Sequence, residues 1–172
     1  MAILPLVKAP DPRLKLVSEP VKAVDGELRK FMNNMLDTMY AAKGIGLAAI
    51  QVGVPKSVAV VDLDPKGPNS KQLFIINPVI VSASDEQSTA QEGCLSVPEF
   101  WEDVKRPARL TVEFMDEKGK TRRLEAEGLL ATCLQHEIDH INGMLFIDHL
   151  SKLKRSIALR KSAKLKRKDE TE

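Results

Sequence analysis

Apolar side chains recur along this chain at two spacings, and the switch between them lays out the elements. Leu28, Phe31, Met32, Met35, Leu36 and Met39 fall at i, i+3, i+4, i+7, i+8 and i+11. That single stripe predicts an amphipathic helix, with Asp25 as its N-terminal cap. At this spacing the methionines are core-packing residues rather than a flexible ligand surface. From Ser57 the texture turns to β. Short β-branched runs cover Ser57 to Asp62 and Leu73 to Val81, and Leu110, Val112 and Phe114 alternate with polar residues. Asp64-Pro65-Lys66-Gly67-Pro68-Asn69 is a loop by composition, and Asp116-Glu117-Lys118-Gly119 joins the alternating strand to Thr121 to Glu125 as a hairpin. A second helix is predicted from about Glu127 to Asn142, with Leu129, Leu130, Cys133, Leu134, Ile138 and Ile141 apolar and Gly143 as a left-handed C-terminal cap. Pro5, Pro10, Pro12 and Pro20 make the first twenty residues an extended arm. With no internal repeat and no linker, the expected architecture is a single α+β domain.

Composition narrows the class without changing that outline. At 172 residues, 43% hydrophobic and 29% charged, the chain suits one globular domain with a sizeable core and excludes wholesale disorder. No apolar stretch approaches the roughly 20 residues that cross a bilayer, and the first residues lack a basic region followed by an apolar one, so a cytoplasmic protein is expected. Two cysteines exclude a disulfide framework, leaving each to act as packing residue, nucleophile or ligand. The net charge of +2 hides an asymmetry: Ser151 to Lys168 carries nine Lys/Arg and no acid, so the remainder stands at −7. Leu153, Ile157 and Leu165 recur there at near-helical spacing, which predicts a basic C-terminal helix lying partly on the surface. It is either a solvated helix or a docking surface for an anionic partner such as RNA.

The second helix carries His136-Glu137-Ile138-Asp139-His140. Histidines at i and i+4 share a helical face and can hold one metal ion, while Glu137, about 100° around the helix, can reach a water at the open position as general base. Burying these groups without partners would be costly, and a metal supplies the partners. The third ligand does not follow the longer metalloprotease pattern, because Phe146 stands where its third histidine belongs. His149 reads as a surface or turn residue. Cys133 shares the helical face but lies a rise of roughly 10 Å from His140, too far for its short side chain, and is a buried packing residue. Cys94, in Glu92-Gly93-Cys94-Leu95-Ser96, follows a glycine that permits close backbone approach. On its residues alone Cys94 remains a packing residue or a nucleophile.

Three separated motifs occur in order: Gly44-Ile45-Gly46-Leu47-Ala48-Ala49-Ile50-Gln51, Glu92-Gly93-Cys94-Leu95-Ser96 and Gln135-His136-Glu137-Ile138-Asp139-His140. In these, and in overall length, the chain resembles bacterial peptide deformylases, with Ile50 a departure where many relatives carry proline. The resemblance implies antiparallel β-sheets around a central metal-binding helix, and removal of the formyl group from the N-terminal formyl-methionine of nascent proteins. It implies that Cys94, His136 and His140 hold a divalent metal, usually Fe2+, with Ni2+, Co2+ or Zn2+ able to substitute. It makes Glu137 the general base and assigns the oxyanion to the metal, the Gln51 amide and the Leu95 backbone N–H. Gly44, Ile45, Gly46 and Gly93 become candidate substrate-binding residues. Glu92 and Asp139 flank the ligands, and Arg106 or Arg109 is expected to pair with one of them and fix ligand orientation. Residues 1–150 are then the catalytic metallohydrolase part and 151–172 a basic tail of the same domain, with a possible ribosome contact. Neither DNA nor membrane is an expected partner, and the setting is the bacterial cytoplasm. Two other classes compete: a zinc peptidase using the same helix, and a binding protein dominated by its basic tail.

Overall fold

The stripe beginning at Leu28 becomes helix α1, Gly26–Ala41, and the Asp25 carboxylate accepts the Leu28 N–H at 2.8 Å, satisfying one of the free amides of its first turn. In the computed structural model, which describes residues 2–172, α1 buries Leu28, Met32, Met35, Leu36 and Met39. They pack against Leu47 of strand β1 (Gly46–Ala48), Val58 and Val60 of β2 (Val58–Val61), and Ile76 of the strand beyond. β3 (Leu73–Ala83), β6 (Arg109–Met115) and β7 (Thr121–Glu127) complete a five-stranded antiparallel sheet in the order β1-β2-β3-β6-β7. The β6–β7 hairpin turns on Asp116, whose carboxylate accepts the N–H groups of Lys118 and Lys120, with Gly119 at φ 77°.

Helix α2, Gly128–Ile141, lies against β1, β2, β6 and β7 and buries nine of its fourteen residues, His136, Glu137 and His140 among them. Its end has the expected form. Gly143 at φ 78° lets the Met144 N–H reach Asp139 O at 2.8 Å and its own N–H reach His140 O at 3.1 Å. The position is also closed to a side chain, because a Cβ there would fall 2.5 Å from Lys15 O.

The sequence pattern did not announce a long two-stranded hairpin, β4 (Gln87–Cys94) and β5 (Val97–Pro107), which presents Cys94 to the helix. Its few inward positions include Glu92 and Arg106, so the alternation carries charge where a strand normally carries valine or leucine. The N-terminal arm is extended as expected except at Pro12–Lys15, a single 3-10 turn whose fixed proline φ and Asp11 cap suit a helical start. The arm ties the motifs together: Val7 N–H donates to Gln51 O and Ala9 N–H to Ser96 O, both at 2.7 Å, and Ser18 N–H to Ile141 O at 2.8 Å.

Helix α3, Lys152–Asp169, follows a turn at Phe146–His149 and is capped by Ser151. It lies partly on the surface, as expected, and its inner face is made of small residues. Leu153 is 68% exposed and Ile157 also points outward, whereas Ala158 and Ser162 are buried against β5 and the 146–149 turn, with Leu159 half-buried beside them. The seat accepts small residues, and Ser162 Oγ donates to Ala9 O at 2.6 Å.

Candidate metal centre

Three elements converge: β4 brings Cys94, α2 brings His136 and His140, and the 3-10 turn Ala49–Val52 after β1 brings Gln51. Cys94, His136 and His140 offer ligand atoms that all lie within 4.8 Å of one another. The two Nε2 atoms are 3.2 Å apart, and Cys94 Sγ is 3.3 Å from His140 Nε2. Donors around one tetrahedral ion, with metal–nitrogen bonds of about 2.1 Å and a metal–sulfur bond of about 2.3 Å, stand about 3.4 to 3.6 Å from each other. The two edges that meet at His140 Nε2 match those values to a few tenths of an ångström, and a thiolate with two imidazoles is a donor set that suits a divalent ion. His140 Nδ1 is buried with no hydrogen-bond partner among the described residues. Cys133 stays out of the triangle, its thiol facing Ile45 O and pushed up by burial and by the charge of Glu137.

Around the ligands lies a buried ion network. Arg106 forks onto Glu92, Nε to Oε2 at 2.7 Å and Nη2 to Oε1 at 2.9 Å, and its Nη1 donates to Asp139 Oδ2 at 2.8 Å. Arg106 therefore pairs with both expected carboxylates, while Arg109 pairs with Glu86 on the surface. Burial alone would raise the Glu92 carboxyl, but the hydrogen bonds from Arg106 and His136 hold it at about 2. An ionised Glu92 accepts from His136 Nδ1, 2.9 Å away, which turns Nε2 toward the triangle, where a bound metal ion would take the place of its proton. Burial works against protonation of His136, yet its contacts with Cys94 and Glu92 outweigh it and raise its pKa. For His140, burial and the neighbouring positive groups act together and keep it neutral, as a ligand must be.

Glu137 has the opposite setting. Its Oε2 is buried with no hydrogen-bond partner among the described residues, and burial pushes the carboxyl up to about 7. It stands against Gly46, where a Cβ would fall 2.5 Å from Oε1. A Cβ at Gly44 would meet Leu95 Cδ1 at 2.8 Å, so both glycines of the first motif keep space for site side chains. Gln51 is 1% exposed; its Oε1 accepts the Ala48 N–H at 3.0 Å, which turns Nε2 toward Ser96 Oγ (3.1 Å) and Cys94 Sγ (3.5 Å). A cavity of about 630 Å³ is bordered by Gly44, Ile45, Gly46, Gln51, Gly93, Cys94, Leu95, His136 and Glu137.

A family model for polypeptide deformylase matches residues 3–156. The chain belongs to the polypeptide deformylase family. A curated peptide deformylase of Rhizobium meliloti is 54% identical over 164 residues, covering 95% of this chain and 94% of its own. One of Brucella suis is 53% identical, covering 96% and 94%. Among solved structures, a peptide deformylase from Ehrlichia chaffeensis superposes with a TM-score of 0.93 at 42% identity, covering 98% and 99%. The same organism's enzyme in complex with actinonin gives 0.92 at 44%. Family membership accounts for the three motifs; several neighbours of the site fall outside them. Phe146 stacks on His136 with ring centroids 5.9 Å apart. His149 is exposed in the 146–149 turn, as expected of a surface or turn residue, and its Nε2 lies 2.8 Å from Asp139 Oδ2. The signal for both was the tight turn after Gly143, which returns the chain beneath the helix it has just left.

Proposed function

We propose that this chain is a metal-dependent peptide deformylase that hydrolyses the N-formyl group of formyl-methionyl nascent polypeptides. The observation that carries the reading is a Cys/His/His donor triangle beside a buried, unpartnered Glu137 carboxylate, both bordering one cavity. Cys94, His136 and His140 hold the ion, for which the family resemblance points to Fe2+; the donor set also admits zinc, nickel or cobalt. A divalent ion in that triangle supplies Lewis acidity, making water nucleophilic near neutrality and polarising the formyl oxygen. Glu137 takes one proton from the attacking water. The water oxygen bonds to the formyl carbon, the carbon–nitrogen bond breaks, and Glu137 passes the proton to the departing amine, so formate and a free amino terminus leave. Gln51 Nε2 and the Leu95 backbone N–H donate to the formyl oxygen as it gains charge, a contribution worth about 10² to 10³ in rate for each donor. Gly44, Ile45, Gly46 and Gly93 border the path of the peptide.

In this reading residues 1–150 carry the catalysis, in the bacterial cytoplasm, and the basic face of α3 keeps the enzyme near ribosomes. Among the described residues no helix is long and apolar enough to cross a membrane. Because α3 packs into the body, charge reversal at exposed Arg160, Lys164 and Lys168 tests its role better than truncation; ribosome co-sedimentation that ignores both the reversal and salt would remove that part. The activity itself is tested by formate release from a formyl-Met peptide, using protein loaded anaerobically with Fe2+ or Ni2+, beside Cys94→Ala and Glu137→Ala. Release that needs both residues and leaves the peptide backbone intact supports deformylation. Backbone cleavage would mean a peptidase, and no release from metal-replete protein would overturn the reading.

A further inference from the structure

Trp101, the single tryptophan of the chain, lies outside the three motifs and is 61% exposed. An indole is among the most apolar groups a surface can carry, and its burial removes about 150 to 250 Å² from water. Its placement is specific. Trp101 lies on β5 and its indole covers Gly93 on β4, one residue before Cys94: a Cβ at Gly93 would fall 2.4 Å from Nε1 and 2.5 Å from Cδ1. The glycine of the second motif thus gives the indole a seat on the strand that delivers Cys94. The strand is bent to place it. Glu99, two residues earlier, has φ 58°, a left-handed conformation rare for a side-chain-bearing residue, and its carbonyl accepts from Lys161 Nζ of α3. Trp101 borders the same cavity as Cys94, His136 and Glu137, and so does Leu129 on the first turn of α2, 55% exposed. Two large apolar side chains on different elements, both left in water, therefore edge the cavity that holds the donor triangle.

We infer that Trp101 is a specificity-determining residue: its indole is an apolar wall that packs against a side chain following the formyl-methionine, favouring large apolar or aromatic residues over glycine. The inference rests on the deformylase reading for the position of the formyl group. An extended peptide advances about 3.3 Å per residue, so with its formyl group at the Cys94 triangle, residues two and three pass the indole seated over Gly93. The preference acts through binding, because the wall is remote from the bond that breaks.

The test compares kcat/KM for formate release from formyl-Met-Ala-Xaa amides, with Xaa as Gly, Leu or Phe, and the matching series varied at the second residue. Metal-loaded native protein, Trp101→Phe and Trp101→Ala are compared. Native protein is expected to favour Leu or Phe over Gly by about fivefold to tenfold in one of the two series, expressed in KM. Trp101→Ala brings that ratio below about twofold, and Trp101→Phe restores most of it. Equal rates across both series, or a preference that survives Trp101→Ala, would overturn the inference while leaving deformylation standing. The lone indole gives a second readout independent of turnover. In metal-loaded Glu137→Gln, the Phe and Leu peptides should shift tryptophan emission to the blue more than the Gly peptide. Emission that ignores all three at saturating peptide overturns the inference even if no formate is ever released, an outcome that would separately sink the deformylase reading.

Discussion

Glu92 and Glu137 are both buried, 5% and 3% exposed, and both adjoin His136, yet their surroundings drive them in opposite directions. On the β4–β5 side, Glu92 receives a two-pronged Arg106 and the His136 N–H, and its carboxyl sits at about 2. On the cavity side, Glu137 faces Gly46 and Cys133, keeps one oxygen without a partner among the described residues, and sits at about 7. Burial penalises both charges, and hydrogen bonding decides which is retained. A carboxylate locked by an arginine is a scaffold that sets a ligand's tautomer. One left without donors, with a pKa near neutrality, is suited to take and return a proton. Glutamate takes both settings within one site, and the difference comes from the groups that surround each carboxyl.

The comparison can be broken most forcefully on the Glu137 side. Glu137→Gln keeps shape and removes the proposed base, so formate release should fall by about 10² to 10⁴ with the metal retained, checked by rate and by metal analysis on the same sample. A fall explained by lost metal would erase the distinction between the two glutamates. Next comes the scaffold side. Arg106→Ala strands the buried Glu92 carboxylate and the half-buried Asp139, and is expected to cost about 3 to 5 kcal/mol of stability in denaturant titration, and about 10- to 100-fold in metal affinity by chelator competition.

The pH dependence of stability in metal-free protein sharpens the contrast, because the two carboxyls have opposite signs. The Glu92 pKa is lowered on folding, so its contribution is present above 4.5 and is lost as pH falls toward 2. The Glu137 pKa is raised, so its contribution is present below 4.5 and is lost as pH rises toward 7. Each amounts to a few kcal/mol at about 1.4 kcal/mol per pKa unit. Glu137→Gln should therefore be more stable than native protein at pH 8 and closely matched at pH 4, read from unfolding midpoints. The smallest effect is expected from His149→Ala, which removes one half-exposed contact to Asp139. A loss of about 1 kcal/mol or less, and a change in metal affinity of no more than a few-fold, would place His149 at the edge of the network.

Much of this arrangement is legible in the sequence. The α1 stripe and its Asp25 cap, the β6–β7 hairpin and the Gly143 terminus follow from local periodicity and turn chemistry, which neighbours reinforce rather than override. The histidine pair and Glu137 were legible because i, i+4 spacing fixes a common face, and Cys94 entered through the family resemblance. The β4–β5 hairpin was hidden because Glu92 and Arg106 occupy inward positions that a hydrophobic pattern assigns to solvent. On α3 the apolar residues misled: the seat beneath it takes Ala158 and Ser162, so Leu153 and Ile157 face outward. Pairing of Arg106 rather than Arg109 with Glu92 depends on which residue of β5 or β6 points inward, a matter of tertiary register.

The most direct measurement is formate release per bound metal for Glu92→Gln and Glu137→Gln in one assay, with metal content determined on each sample. Glu92→Gln is expected to bind less metal but to turn over close to the native rate for each ion it keeps. Glu137→Gln should keep its metal and turn over at least about a hundredfold more slowly per ion. Near-native turnover per ion in Glu137→Gln, or an equal per-ion loss in both variants, would contradict the assignment of scaffold to one glutamate and proton transfer to the other.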